Sequence, residues 1–332
     1  MERRHFTMGP GQEIAAMAAG DKSRPAAWRG SVFLVLKIAV SAALLYAIFL
    51  LVDVHAALKA AKGMNLLFLG LAAMVRITVF SLDALRLSWM TPIPGLAYVQ
   101  HLRLALRGAF FSQLGFGFLT GDAYRAAGYA KGSGNLSGPA AHLLAARFAG
   151  ISTTAALALA AALILLTRQS GVLRSFAGHI GLGVAAGAVI VLSLIWLVFK
   201  VLRPHVSSQW QTRLQQGVTA LQSLTARVWA LSLVLVLLRG FSLWLVFAGL
   251  HYSLSYFVTL LAVVTATLVT LVPLAFAGLG LREGTLAGVC TLFGAPAALS
   301  VSAAILMRLA VISAAATGFA VSLGLPEMKK HS

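Results

Sequence analysis

Pro273-Leu-Ala-Phe-Ala-Gly-Leu-Gly-Leu-Arg-Glu-Gly284 is the stretch on which the fold turns. A long apolar run ends at Pro273. Gly278 and Gly280 loosen the backbone, Arg282 and Glu283 stand side by side, and Gly284 leads into further apolar sequence. Pro and Gly interrupt helices, and charges at membrane depth are expensive. A break of this kind persists where it is buried in protein or lines a watery cavity. Two readings follow. One is a broken membrane helix forming part of a polar site. The other is a short loop between two spans, carrying a surface Arg-Glu pair.

The membrane setting comes from the rest of the chain. Its 332 residues are 60% hydrophobic and only 10% charged, whereas a soluble domain has about a quarter charged residues. Windows of about 20 apolar residues recur from Ser31 to Leu325, long and continuous enough for helices and too long for barrel strands. The expectation is an all-α, polytopic integral membrane protein of seven or eight crossings with one or two Gly-rich re-entrant segments. A net charge of +18 would point to nucleic acid in a soluble protein; here it fits loops facing anionic headgroups, and no nucleic-acid partner is expected. The single cysteine, Cys290, permits neither an intrachain disulfide nor a Cys-based metal site.

Residues 1–30 read as a basic, disordered tail and 326–332 as a short basic one, flanking a membrane domain over 31–325. Ser31 to Val52 is the first span. Met64 to about Leu87 is the second, with Arg76 near its middle and Asp83 and Arg86 near its end. Tyr98 to Arg107 is basic and mixed. Gly108 to Gly121 is apolar but short, and is expected to dip in and return. Pro139 to Thr167, Ile180 to Val201, Trp229 to Leu250 (interrupted at Arg239-Gly240), Tyr256 to Val272 and Ala297 to Leu325 are further spans. Trp210, Leu214, Val218 and Leu221 recur at helical spacing within 200–227, an amphipathic connection on the membrane surface. Loop Lys and Arg place the N-terminus, 86–131 and 200–227 in the cytoplasm. The C-terminus joins them if 285–295 crosses, and lies outside if that segment re-enters.

Arg76, Arg147, Arg239 and Arg308 fall within apolar spans, and the nearby acids are only Asp83, Asp122 and Glu283. Taken singly, each Arg is read first as snorkelling. Together they exceed the acids available, and an anionic partner such as a lipid phosphate fits the deficit. Half-helix N-termini at Gly284 or Gly121 would favour the same anion. Asp122 and Arg125, spaced i, i+3, read first as a local cap and salt bridge. His142 and His251 read as interface residues, and His101 as equally unremarkable. No nucleophile elbow, zinc-protease motif, P-loop or acidic metal cluster occurs, so neither enzyme activity, cofactor nor metal is expected.

The opening stretch resembles the Pro-x-x-x-x-Gly-x-Gly-x-Arg-Glu-Gly signature of the lysylphosphatidylglycerol synthase transmembrane (flippase-like) family. Ala84-Leu85-Arg86, Gly121-Asp122-Ala123-Tyr124-Arg125, Ala146-Arg147-Phe148 and Arg308 resemble other family positions in order, over roughly 31–325. Thr120 and Phe116 depart from the family's usual Gly and Pro. The resemblance implies lipid translocation in a bacterial cytoplasmic membrane. Arg282, Glu283, Gly278, Gly280, Gly284, Asp122 and Arg125 would form the headgroup site, with Arg147 and Arg308 in support. The family's soluble aminoacyl-transfer domain has no counterpart here, so synthase activity is not expected. Implied partners are membrane lipids, whether phospholipid, polyprenyl or hopanoid-type, and a lipid-modifying enzyme. The alternatives are a non-transporting partner of such an enzyme, or an enzyme acting on a lipid phosphate.

Overall fold

The computed structural model describes residues 46, 54–91, 93, 96–114, 118–134, 136–166, 208–271 and 279–326. The first span apart from Tyr46, the span over 180–201, both tails, and Pro273 to Gly278 lie outside the described residues. What is described is all helix: α1 (Val54–Lys62), α2 (Leu66–Met90), α3 (Tyr98–Leu114), α4 (Phe118–Ser133), α5 (Ser137–Leu166), α6 (Ser208–Gln222), α7 (Ala226–Gly249), α8 (Tyr256–Val269), α9 (Leu281–Leu292) and α10 (Ala297–Leu323). Among the described residues, α2, α5, α7 and α10 are long and apolar enough to cross a membrane. Their outer faces expose Leu66, Met74, Leu144, Leu163 and Leu309, as expected where lipid is the solvent.

The ends of this bundle can be told apart by contacts between loops. At the near end Asn65 caps α2, accepting from the Leu67 N–H, while its own N–H donates to the Gly249 carbonyl at the end of α7 (2.9 Å). Also at this end the Tyr252 hydroxyl, just before α8, donates to the Gly294 carbonyl, just after α9 (2.9 Å). At the far end Leu87 and Met90 of α2 cluster with Leu143 and Ala145 of α5 and Val228 of α7. Thus α2 and α10 run from near to far, and α5 and α7 from far to near.

The remaining helices return to the end they leave. α8 and α9 have 14 and 12 residues, about 21 and 18 Å at 1.5 Å per residue, short of a ~30 Å hydrocarbon core. Both outer ends sit at the near end, so α8–α9 is a hairpin that enters and leaves there. α3–α4 does the same from the far end, between the close of α2 and the start of α5. Its arms run antiparallel, because Gly108 meets Gly121, Ala105 meets Arg125, and His101 meets Tyr129.

Four expectations change. The re-entrant element is α8 together with α9, not 285–295 alone, and it leaves the end of α10 at the far end of the bundle. Tyr98 to Arg107 is helix, continuous with the first half of the Gly-rich stretch. Arg239-Gly240 does not interrupt α7; the absent Gly240 side chain lets Leu260 of α8 pack close, where a Cβ would sit 3.0 Å away. Neither Gly121 nor Gly284 opens a half-helix. Gly121 lies in the first turn of α4, where it touches Gly108, and Gly284 is the fourth residue of α9. The amphipathic connection is a helix, α6, burying Ala220 against α5 and leaving Val218 and Leu221 exposed.

The two halves of the chain repeat one plan upside down. α2, hairpin α3–α4 and span α5 run near-far-near, while α7, hairpin α8–α9 and span α10 run far-near-far. Packing follows the same relation: α3 lies on α10, and α8 lies on α5.

Candidate functional site

A cavity of ≈ 300 Å³ lies between the spans, lined by residues of both hairpins. α2 contributes Arg76, Asp83 and Arg86, and the α3–α4 hairpin contributes Ser112, Gln113, Leu119, Asp122 and Arg125. Arg147 comes from α5, Ser232 and Arg239 from α7, Thr267 and Thr270 from the end of α8, Arg282 from α9 and Arg308 from α10. Of its lining residues Leu119 is 54% exposed, and the Arg147 side chain 37%, so an apolar and a cationic lining group both reach the surface.

The carboxylates are held on both oxygens. Asp83 Oδ1 takes Arg86 Nη2 at 2.5 Å and Oδ2 takes Arg125 Nη1 at 2.9 Å. Asp122 Oδ2 takes Arg147 Nε at 2.5 Å, and its Oδ1 lies 3.8 Å from Arg125. Glu283 Oε1 faces Arg308 Nη1 at 3.3 Å, and Oε2 accepts the Gly280 N–H at 2.8 Å. Such buried charge-assisted bonds are strong but leave a heavy desolvation cost to be offset. Arg125 also donates to the Ala105 carbonyl (3.3 Å) and Arg86 to the Ser232 hydroxyl (3.0 Å).

The break in the opening stretch has a definite form. Gly280 sits at φ +80°, a backbone open to glycine and strained for other residues, directly before α9. The turn lets Glu283 reach back to the Gly280 N–H while Arg282 points into the cavity. Of the two readings of Arg282 and Glu283, the exposed loop is therefore set aside: Glu283 is buried and Arg282 lines the cavity. The local Asp122–Arg125 pair exists only at its longer distance; each residue has a closer partner elsewhere.

Of the residues singled out from sequence, Arg282, Asp122, Arg125, Arg147 and Arg308 line this cavity, with Glu283 and Gly280 behind them. Gly284 serves the helix backbone, donating to the Gly280 carbonyl at 2.8 Å, and Gly278 is outside the described residues. Asp83, Arg86, Arg76 and Arg239 were not placed in the site. The signal for Asp83 was available, since an acid inside an apolar span is rarely idle. His101 is buried against the Tyr129 hydroxyl at 2.8 Å.

The inverted plan extends to the chemistry. Asp122, on the second arm of one hairpin, pairs with Arg147 of the following span. Glu283, on the second arm of the other, pairs with Arg308 of the span that follows it. In each case the arginine lies 25 residues after the acid. Arg76 and Arg239 occupy the spans preceding the two hairpins.

These features define a helical integral membrane protein with a cationic cavity between spans and opposed hairpins. The model of the lysylphosphatidylglycerol synthase TM region matches residues 34–317, and the chain belongs to that family. No curated protein and no solved structure matches it. Membership ties the chain to membrane lipids.

Proposed function

We propose that the protein moves an anionic lipid across the bilayer, holding the headgroup in the arginine-lined cavity while the acyl chains stay in lipid. The observation that carries this reading is the cavity itself: a cationic chamber between two hairpins that enter from opposite ends. Guanidinium groups grip phosphate oxygens in a planar fork. Opposed repeats around a central site are the architecture of alternating access. The exposed Leu119 gives a lipid tail an apolar exit.

The test is reconstitution in liposomes carrying a head-labelled anionic phospholipid, with transbilayer movement followed by quenching of the outer leaflet. The wild-type protein speeds exchange. Arg282→Gln slows it at least tenfold yet melts like wild type, because Arg282 has no carboxylate within 4 Å among the described residues. Folded protein that accelerates no lipid in a broad panel overturns the function. Full-rate exchange in Arg282→Gln removes the site.

A further inference from the structure

We infer that the cavity selects a polyanionic phosphate, a phosphomonoester or diphosphate, over a singly charged phosphodiester, and rejects an aminoacylated headgroup. The inference rests on the headgroup reading above and concerns which headgroup. Seven arginines line the cavity, namely Arg76, Arg86, Arg125, Arg147, Arg239, Arg282 and Arg308. Asp83, Asp122 and Glu283 offset three of them, which leaves four positive charges. The sequence has no other acid between residues 54 and 326.

Two details turn this excess into a preference. First, Arg76, Arg239 and Arg282 line the same cavity and form no ion pair among the described residues. Arg76 Nε and Nη1 and Arg239 Nε are buried without a hydrogen-bond partner. Unpaired buried guanidinium groups carry a large desolvation cost that a ligand of opposite charge relieves. A phosphomonoester brings about two charges near neutral pH where a phosphodiester brings one. Second, the charge of an ammonium headgroup is best balanced by a carboxylate, and every carboxylate oxygen at the site already faces an arginine or an N–H. An aminoacyl group would add positive charge where there is already too much.

The experiment uses the purified full chain in detergent and dioctanoyl lipids differing only in headgroup: phosphatidylglycerol, its lysyl ester, phosphatidic acid and diacylglycerol diphosphate. Binding is read as ligand-dependent thermal stabilisation, with inorganic phosphate and pyrophosphate as free-anion arms. The expected order of affinity is diphosphate, monoester, phosphodiester, lysyl ester, with roughly tenfold between the first three. Arg76→Gln or Arg239→Gln compresses that ladder at least threefold without lowering the melting point of the empty protein. Equal affinity for phosphatidylglycerol and phosphatidic acid, or tighter binding of the lysyl ester, overturns the inference. Pyrophosphate binding as tightly as the lipid diphosphate overturns its lipid part. Since no transport is measured, the stated order in a protein that moves no lipid refutes the function alone. Fast movement of the lysyl ester with no monoester preference refutes this inference alone.

Discussion

Replacing Gly121 by Ala tests whether the α3–α4 hairpin positions the ion pairs. A Cβ at Gly121 would fall onto the Ser112 hydroxyl and the Gly108 carbonyl oxygen, and 3.2 Å from the Gly108 carbonyl carbon. The hydroxyl can rotate away, but the Gly108 backbone belongs to α3 and moves only with that helix. The two arms must therefore open by about half an ångström or more, since close-packed interiors leave no slack. Arg125 sits in that crossing: its Nε would lie 2.6 Å from a Cβ at Gly108, and it ties Ala105 to Asp83. The bond to Ala105, at 3.3 Å, is near its limit before any opening. Overpacking of this kind costs about 1–3 kcal/mol. If the Arg125–Asp83 pair is lost as well, the total approaches the ~3–5 kcal/mol of a broken buried pair. The internal control is Gly217→Ala in α6, where a Cβ meets nothing within 4 Å; there the same change stabilises by about 0.5–1 kcal/mol through helix propensity. Unfolding in mixed detergent and dodecyl sulfate, followed by tryptophan fluorescence, reads both. Gly121→Ala as stable as wild type would refute the claim that this glycine contact sets the crossing.

Two further outcomes are expected. Asp83→Asn leaves Arg86 and Arg125 buried with a neutral partner and lowers stability by about 3–5 kcal/mol, read in the same titration. Gly280→Ala, at φ +80°, strains the turn that aims Arg282; it destabilises by about 1–2 kcal/mol and lowers lipid exchange more than the same loss of stability placed in α6 does.

The class of fold was legible because hydrocarbon leaves so few choices: long apolar runs must be helices. The arginine excess was legible for the same reason. What sequence could not show was which segments return to the side they came from. That depended on a contact such as Tyr252 with Gly294, forty-two residues apart. The length of 108–121 suggested a segment that dips in and returns, but not that Gly108 and Gly121 serve close approach between two helices, which composition does not distinguish from a break. Asp83 escaped the site because its partners, Arg86 and Arg125, come together only when α4 folds back beside α2. The repeat escaped too: the halves share topology and the acid–arginine spacing, but little else at the level of residues.

The opposed hairpins have a consequence for how little must move. Among the described residues, each enters from one end and lines the cavity without crossing the bilayer, so each end of the cavity meets a short helical pair. Each hairpin is tied to the span that follows it by an acid–arginine contact, Asp122 to Arg147 at one end and Glu283 to Arg308 at the other, and the first is also tied to α2 through Arg125 and Asp83. On the proposed function, tilting one hairpin while its counterpart stays tied would change the face towards which the arginines open, with the four described spans standing still.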